Sequence, residues 1–202
     1  MQNPNQDQGV PWVSYRSQIN SVVIDTGVTT IGARAFRYCE NLKTITIPEG
    51  ITSIGIYAFE HCTSLTNVTL PSSVTTIGDN AFYCCGSLTS LPLTSNITTI
   101  GKGVFASCNG LTNVTIPDSV TSIGSGAFKN CDNLTSIIIP SSVTTIGDYA
   151  FSECDNLSNV TLPSSLTNIN ACTFYFCINL ESIEIPSSEP LLGMEHSLNA
   201  KV

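Results

Sequence analysis

Residues 143–165 read VTTIGDYAFSECDNLSNVTLPSS, and blocks of the same length and pattern start at Val28, Ile51, Val74, Ile97, Val120 and Leu166. Seven copies of 23 residues follow one another without insertion or deletion. A period of that size, held that strictly, is the mark of a solenoid in which each repeat stacks on the next. One coil alone buries too few apolar side chains to offset the entropy of ordering it, so stability belongs to the array.

The apolar spacing within the block assigns the parts of each coil. Leu157, Val160 and Leu162 give L-x-x-V-x-L, the strand pattern of a leucine-rich repeat, and its last three residues alternate as a half-buried strand does. Pro163 ends ladder pairing because it has no N–H to donate. Val143 and Ile146 then point inward from a short extended piece, and Gly147 permits the turn after it. Ala150, Phe151 and Cys154 form the next inward set, and this spacing predicts one short helical turn on the convex side. The expected fold is a right-handed leucine-rich-repeat solenoid of mixed α/β repeats, mostly β. A parallel β-sheet covers one face, and stacked ladders of Phe (36, 59, 82, 105, 128, 151, 174) and Cys (39, 62, 85, 108, 131, 154, 177) run along the core.

The ends depart from the repeat. Residues 1–9 are polar and rich in Asn and Gln, and read as a disordered tail. Residues 10–18 carry the single Trp and read as an N-terminal cap with Trp12 over the end of the core; a loosely ordered leader is the competing reading. Residues 19–27, INSVVIDTG, shift by 23 onto LKTITIPEG, so the regular solenoid runs from 19 to 188 as an N-terminal half repeat and seven repeats. Residues 189–202 begin in register, with Leu192 on the Ile169 position and Gly193 on the turn glycine, and then lose it at His196 and Ser197. This degenerate half coil reads either as a C-terminal cap using Leu191, Leu192, Met194 and Leu198 or as an end unrelated to the repeat. Repeat three reads L-P-L-T, and Pro92 within its strand predicts a bulge.

The I-G-x-x-A-F-x-x-C-x-x-L-x-x-[VI]-x-[IL]-P core over residues 28–188, with W-x-x-Y-R-S at residues 12–17, resembles the BspA-like leucine-rich repeat family, also described from treponemes. The resemblance implies a leucine-rich-repeat solenoid with strands on one face. It also implies an extracellular or cell-surface location and, for some members, adhesion to extracellular matrix proteins or other cells. It brings no catalytic residues.

Composition narrows the partners. Net charge is −8 and only 11% of residues are charged, against 42% hydrophobic; nucleic acid and anionic membrane surfaces are not expected partners. The N-terminus has no basic start and no apolar run, so no signal peptide is expected, and no stretch is long and apolar enough to predict membrane insertion.

No residue set reads as catalytic, cofactor-binding or metal-binding. Ladder cysteines one coil apart lack the clustered spacing of zinc ligands and read as free thiols in the core, while Cys84 and Cys172 lie off the ladder and are expected to be the more reactive. His61 and His196 have no nucleophile and carboxylate at triad spacing. The segment Gly101-Lys102-Gly103 lacks the rest of a phosphate loop. Glu181 and Glu184 read as an acidic end to the sheet face. Six N-x-[ST] sequons, at Asn67, Asn96, Asn113, Asn133, Asn156 and Asn159, follow from a repeat rich in Asn and Thr.

What remains is the sheet face. The candidate binding residues are Thr46, Asn67, Thr69, Pro92, Asn113, Thr115, Ile138, Asn159, Thr161 and Glu184. Rows of hydroxyls and amides suit hydrogen bonding to a protein, including a host matrix or cell-surface protein, or to a glycan, but offer few aromatic or Arg anchors. Charge is polarised along the axis, with Arg16, Arg34, Arg37 and Lys43 early and Asp132, Asp148, Glu153, Asp155, Glu181, Glu184, Glu189 and Glu195 late, which predicts either a biased orientation of a partner or weak head-to-tail self-association. Two functions compete: a non-enzymatic adhesin-type binding module, which is preferred, and a structural or scaffold repeat within a larger assembly.

Overall fold

The computed structural model describes residues 10–166, 168–170 and 172–184; the polar tail at 1–9 and the degenerate half coil at 189–202 lie outside the described residues. The inward positions of the repeat are buried as the spacing requires. In one coil Val143, Ile146, Ala150, Phe151, Cys154, Leu157, Val160 and Leu162 are all buried, and their counterparts join them in a single core along the molecule.

Each coil offers two short extended pieces, which pair in parallel with the same pieces of neighbouring coils over most of the described length. On the first face lie β1 (Ser21–Val23), β3 (Thr44–Thr46), β8 (Ser136–Ile138), β10 (Asn159–Thr161) and β11 (Ser182–Glu184). On the second lie β2 (Thr30–Ile31), β4 (Ser53–Ile54), β5 (Thr76–Ile77), β6 (Thr99–Ile100), β7 (Ser122–Ile123) and β9 (Thr145–Ile146). Partners are 23 residues apart throughout, as in Ser21 with Thr44 and Ser53 with Thr76, so the sequence period is the pairing register. The serine that ends each P-x-S corner adds a tie the apolar pattern does not reveal: Ser73, Ser119, Ser142 and Ser165 each donate from Oγ to a carbonyl of the preceding coil at 2.6–2.7 Å.

The convex segment differs in detail from the helical turn expected of it. The amides of Ala35, Arg37 and Cys39 bond back to the carbonyls of Gly32, Arg34 and Phe36, while those of Arg34, Phe36 and Tyr38 cross to Ile56, Ala58 and Glu60 of the next coil at 2.7–2.9 Å. A helix would turn every amide back within the coil. Alternation instead gives overlapping tight turns whose spare amides form a third inter-coil ladder. Such turns need a left-handed residue. Two slots supply it, one holding Arg34, Tyr57, Asn80, Gly103, Gly126, Tyr149 and Cys172, the other Tyr38, His61, Cys84, Ser107, Asn130, Glu153 and Phe176, all with φ between +56° and +61°.

Trp12 closes the N-terminal end by imitation. Its ring stacks on Phe36 with centroids 5.6 Å apart, continuing a Phe ladder whose spacings run from 5.1 to 5.9 Å. Its indole N–H donates to the Ala35 carbonyl at 2.7 Å, doing what the backbone amide of a preceding coil would do. The 3-10 helix Val13–Gln18 follows, and Ser17 accepts from Asn41 at 2.7 Å as Asp132 accepts from Asn156 one coil further on.

One boundary is unlike the rest. Between the coils that start at Val74 and Ile97, both β-ladders lapse: among the described residues no bridge joins Ser90 to Asn113, and β5 does not pair with β6. Instead of the bulge expected at Pro92, the first-face ladder there thins to single bridges at Asn67 and Ser90 and then stops; Pro92 has no N–H to give, and at this position of the repeat that donor would face the preceding coil. On the second face the Asp79 carboxylate takes the Lys102 amide at 2.9 Å. The convex ladder crosses the same boundary intact, with Asn80, Phe82 and Cys84 bonded to Lys102, Val104 and Ala106. The Phe82–Phe105 spacing of 5.9 Å is the widest in the Phe ladder.

Candidate binding face

Period-2 alternation puts every second residue of the first face into solvent. Thr46, Asn67, Thr69, Pro92, Asn113, Thr115, Ile138, Asn159 and Thr161 are all exposed; Glu184 is the last residue of β11. Register places them in two rows, one through Val23, Thr46, Ile138, Thr161 and Glu184, the other through Ser21, Thr44, Asn67, Ser90, Asn113, Ser136, Asn159 and Ser182. Within the rows the polar groups bond one another only loosely: Thr89 donates to the Asn67 amide oxygen at 3.3 Å and Ser90 to the same atom at 3.5 Å. Most of their hydrogen-bonding capacity faces outward. Val23 and Ile138, 74% and 71% exposed, are the apolar points on the face.

The cysteine ladder carries a role beyond packing. Cys62, Cys85, Cys108, Cys131, Cys154 and Cys177 each donate from Sγ to a Phe carbonyl of the preceding coil at 3.0–3.2 Å. That carbonyl already accepts the amide three residues on, as Phe36 does from Cys39, so the thiol fills its second lone pair. All nine cysteines are free. Burial pushes the Cys39 thiol up to about 11 and that of Cys131 up to about 12, and raises Cys62, Cys85 and Cys108 in the same direction. These thiols are protonated at neutral pH and so are poor nucleophiles and poor metal ligands. Cys84 and Cys172 are half-buried. Among the described residues no cluster of His, Cys, Asp and Glu is arranged to hold a metal ion.

Two further surfaces escaped the sequence reading. The second face bears its own hydroxyl row, with Thr52, Thr75, Thr121 and Thr144 each donating to the residue 23 earlier at 3.2–3.3 Å. The convex side of the first three coils gathers aromatic and charged side chains. Tyr38 stacks on His61 at 4.8 Å, His61 meets Tyr83 edge-on at 5.7 Å, and Arg37 lies over Tyr38 at 4.8 Å while pairing with buried Glu60. Three adjacent slots (34, 37 and 38 in the first coil) carry this cluster. These slots vary between copies, so no spacing in the sequence marks them as a group, though anchors of this kind dominate protein interfaces.

Comparison with known proteins agrees with this geometry. The BspA type leucine rich repeat region matches in six copies over residues 13–135 and 121–193. A leucine-rich repeat protein from Bacteroides ovatus is similar in structure at 33% identity and a TM-score of 0.67, over 82% of this chain and 39% of its own. The leucine-rich repeat protein of T. pallidum is similar at 29% identity and a TM-score of 0.65, over 82% of this chain and 76% of its own. This chain therefore spans well under half the length of the Bacteroides protein. Among curated proteins none matches. The repeat core, the paired coils and the match across residues 13–193 together place the chain in the BspA-type leucine-rich repeat family.

Proposed function

We propose that the chain is a non-enzymatic binding module of a surface or secreted protein, engaging a protein or glycan through its first β-face. The observation that carries this reading is the pair of exposed rows of hydroxyl and amide groups held in fixed 23-residue register by a core that leaves the coils no freedom to slide. Such a face spreads many weak hydrogen bonds over a large area, and affinity comes from area and multivalency rather than from one pocket. Family membership supports the location and the adhesive role. Among the described residues no helix is long and apolar enough to cross a membrane.

The test is binding to immobilised matrix proteins and to a glycan array, with Ile138→Arg and Thr69→Arg as face variants and Tyr38→Ala as the convex control. Saturable binding lost in the face variants and kept in the control is expected. Binding kept in the face variants but lost in Tyr38→Ala would move the site to the convex cluster. A second reading, a scaffold repeat within a larger assembly, draws on the 39% share of the Bacteroides protein that this chain spans; saturable binding only to proteins of the source cell would favour it.

A further inference from the structure

At the N-terminal end the first coil is only partly covered. Trp12 and Val13–Gln18 close the convex side and β1 supplies the first face, but nothing described lies beside the outer edge of β2. A cavity of about 600 Å³ opens there, bordered by Trp12, Val22, Ile24, Val28, Ile31 and Phe36. The piece that would lie there is the counterpart of the segment that reads V-T-T-I-G at residues 28–32, 74–78 and 143–147. In this chain the register positions before the cap hold NQDQG, residues 5–9, with Asn5 and Gln8 where the fold wants apolar side chains.

Gly32 bears on the same gap. Its counterparts Gly55, Gly78, Gly124 and Gly147 are glycines of necessity: a Cβ on any of them would lie 2.5–2.8 Å from backbone of the preceding coil. Among the described residues a Cβ at Gly32 would meet nothing within 4 Å, and its φ is not one that L side chains avoid. A coil stacked against this face would give that glycine the same role as its counterparts.

The other end of the sequence has the complementary part. Residues 189–193, EPLLG, keep the V-T-T-I-G register. Those five residues and the eighteen of 10–27 make 23, one whole coil, with Gly193 of one copy followed in register by Val10 of the next. We infer that residues 189–193 of a second copy dock against the edge of β2, completing a coil shared between two chains. Leu192 then covers the apolar cavity beside Ile31, β11 of the second copy continues into β1, and its Phe174 stacks on Trp12. Glu189 falls on the Val28 position and adds charge rather than apolar contact, which matches the polarity of the ends: Arg16, Arg34 and Arg37 at the acceptor, Glu181, Glu184, Glu189 and Glu195 at the donor. The contact is head-to-tail and does not close on itself, so it builds open chains rather than a fixed dimer.

Sedimentation velocity of the full chain across a wide concentration range tests this. Growth beyond dimer with concentration is expected, and weakening at high salt. Gly32→Ala is expected to leave the melting temperature unchanged and to weaken association by about tenfold or more, and Leu192→Asp likewise. The two variants block opposite ends. At concentrations where the unaltered chain assembles neither should assemble alone, but an equimolar mixture should form a heterodimer and stop there, an outcome that misfolding cannot produce. A chain that stays monomeric throughout, or association unaffected by both substitutions, or a mixture that fails to pair, overturns the proposal. Loss of association in Ile138→Arg with both ends intact would overturn it too, and would assign self-association to the first face instead.

Discussion

The residue that does most with least is the ladder cysteine. Leu or Val would fill the layer, but neither has a proton to offer the Phe carbonyl of the coil before; Ser would offer one at the cost of burying a hydroxyl. Ionisation is the weakness of this choice. In the unfolded chain a thiol loses its proton near its ordinary value of about 8.5, whereas the folded state holds Cys39 to about 11 and Cys131 to about 12. A raised folded value means the stabilisation is complete below the unfolded value and is lost as pH rises through the folded one. The melting temperature should therefore be flat through neutral pH and fall from about pH 9 upward, and Cys131→Ala, though less stable at pH 7, should show a shallower fall. Thermal melts across that range check both. Access separates the thiols too: a thiol reagent at neutral pH should find Cys84 and Cys172 in the folded protein and the seven ladder cysteines only after denaturant is added.

At the scale of the element, the same sequence position has different meanings in different coils. Gly124 and Gly101 both end a [VI]-T-x-I-G piece. A Cβ on Gly124 would lie 2.8 Å from the backbone of Gly101 and Lys102, while on Gly101 the closest atom is the Asp79 carboxylate at 2.7 Å, the end of a side chain that can turn aside. Gly124→Ala should destabilise by about 2–3 kcal/mol, as overpacking against fixed backbone does, and Gly101→Ala by clearly less; chemical denaturation of the pair measures the difference. The apolar slots were legible in the sequence because side-chain chemistry alone decides them: Phe151 or Leu157 has one place to go. The convex ladder was not, because it depends on which way successive amides point, and its left-handed slots show glycine only at Gly103 and Gly126, with Arg, Tyr and His disguising the rest. The candidate face was read from alternation, and the structure exposes its described side chains. The convex cluster around Tyr38 was passed over because a slot that varies from copy to copy reads as free surface until its neighbours in space are known.

For the whole molecule the boundary after Pro92 is the main irregularity. Solenoid stability is approximately a sum of coil terms and nearest-neighbour interface terms, and here one interface keeps its convex ladder while losing its two β-ladders. Hydrogen exchange should show two blocks of protection meeting at this boundary, with the amides of the second-face strand β6 opening earlier than those of β7. Pro92→Thr, which returns a donor facing the coil that starts at Ile51, should raise stability by about 1 kcal/mol and leave the boundary between the blocks in place. A chain held at both ends feels that boundary in another way. Force pulling the coils apart would meet three ladders at most of the described junctions, whereas at this one the convex strip is the only backbone ladder that bears the load. The strip would act as a hinge along which the molecule folds open like a book, and the rupture would leave two intact stacks tethered to each other, ready to close again once the tension is released.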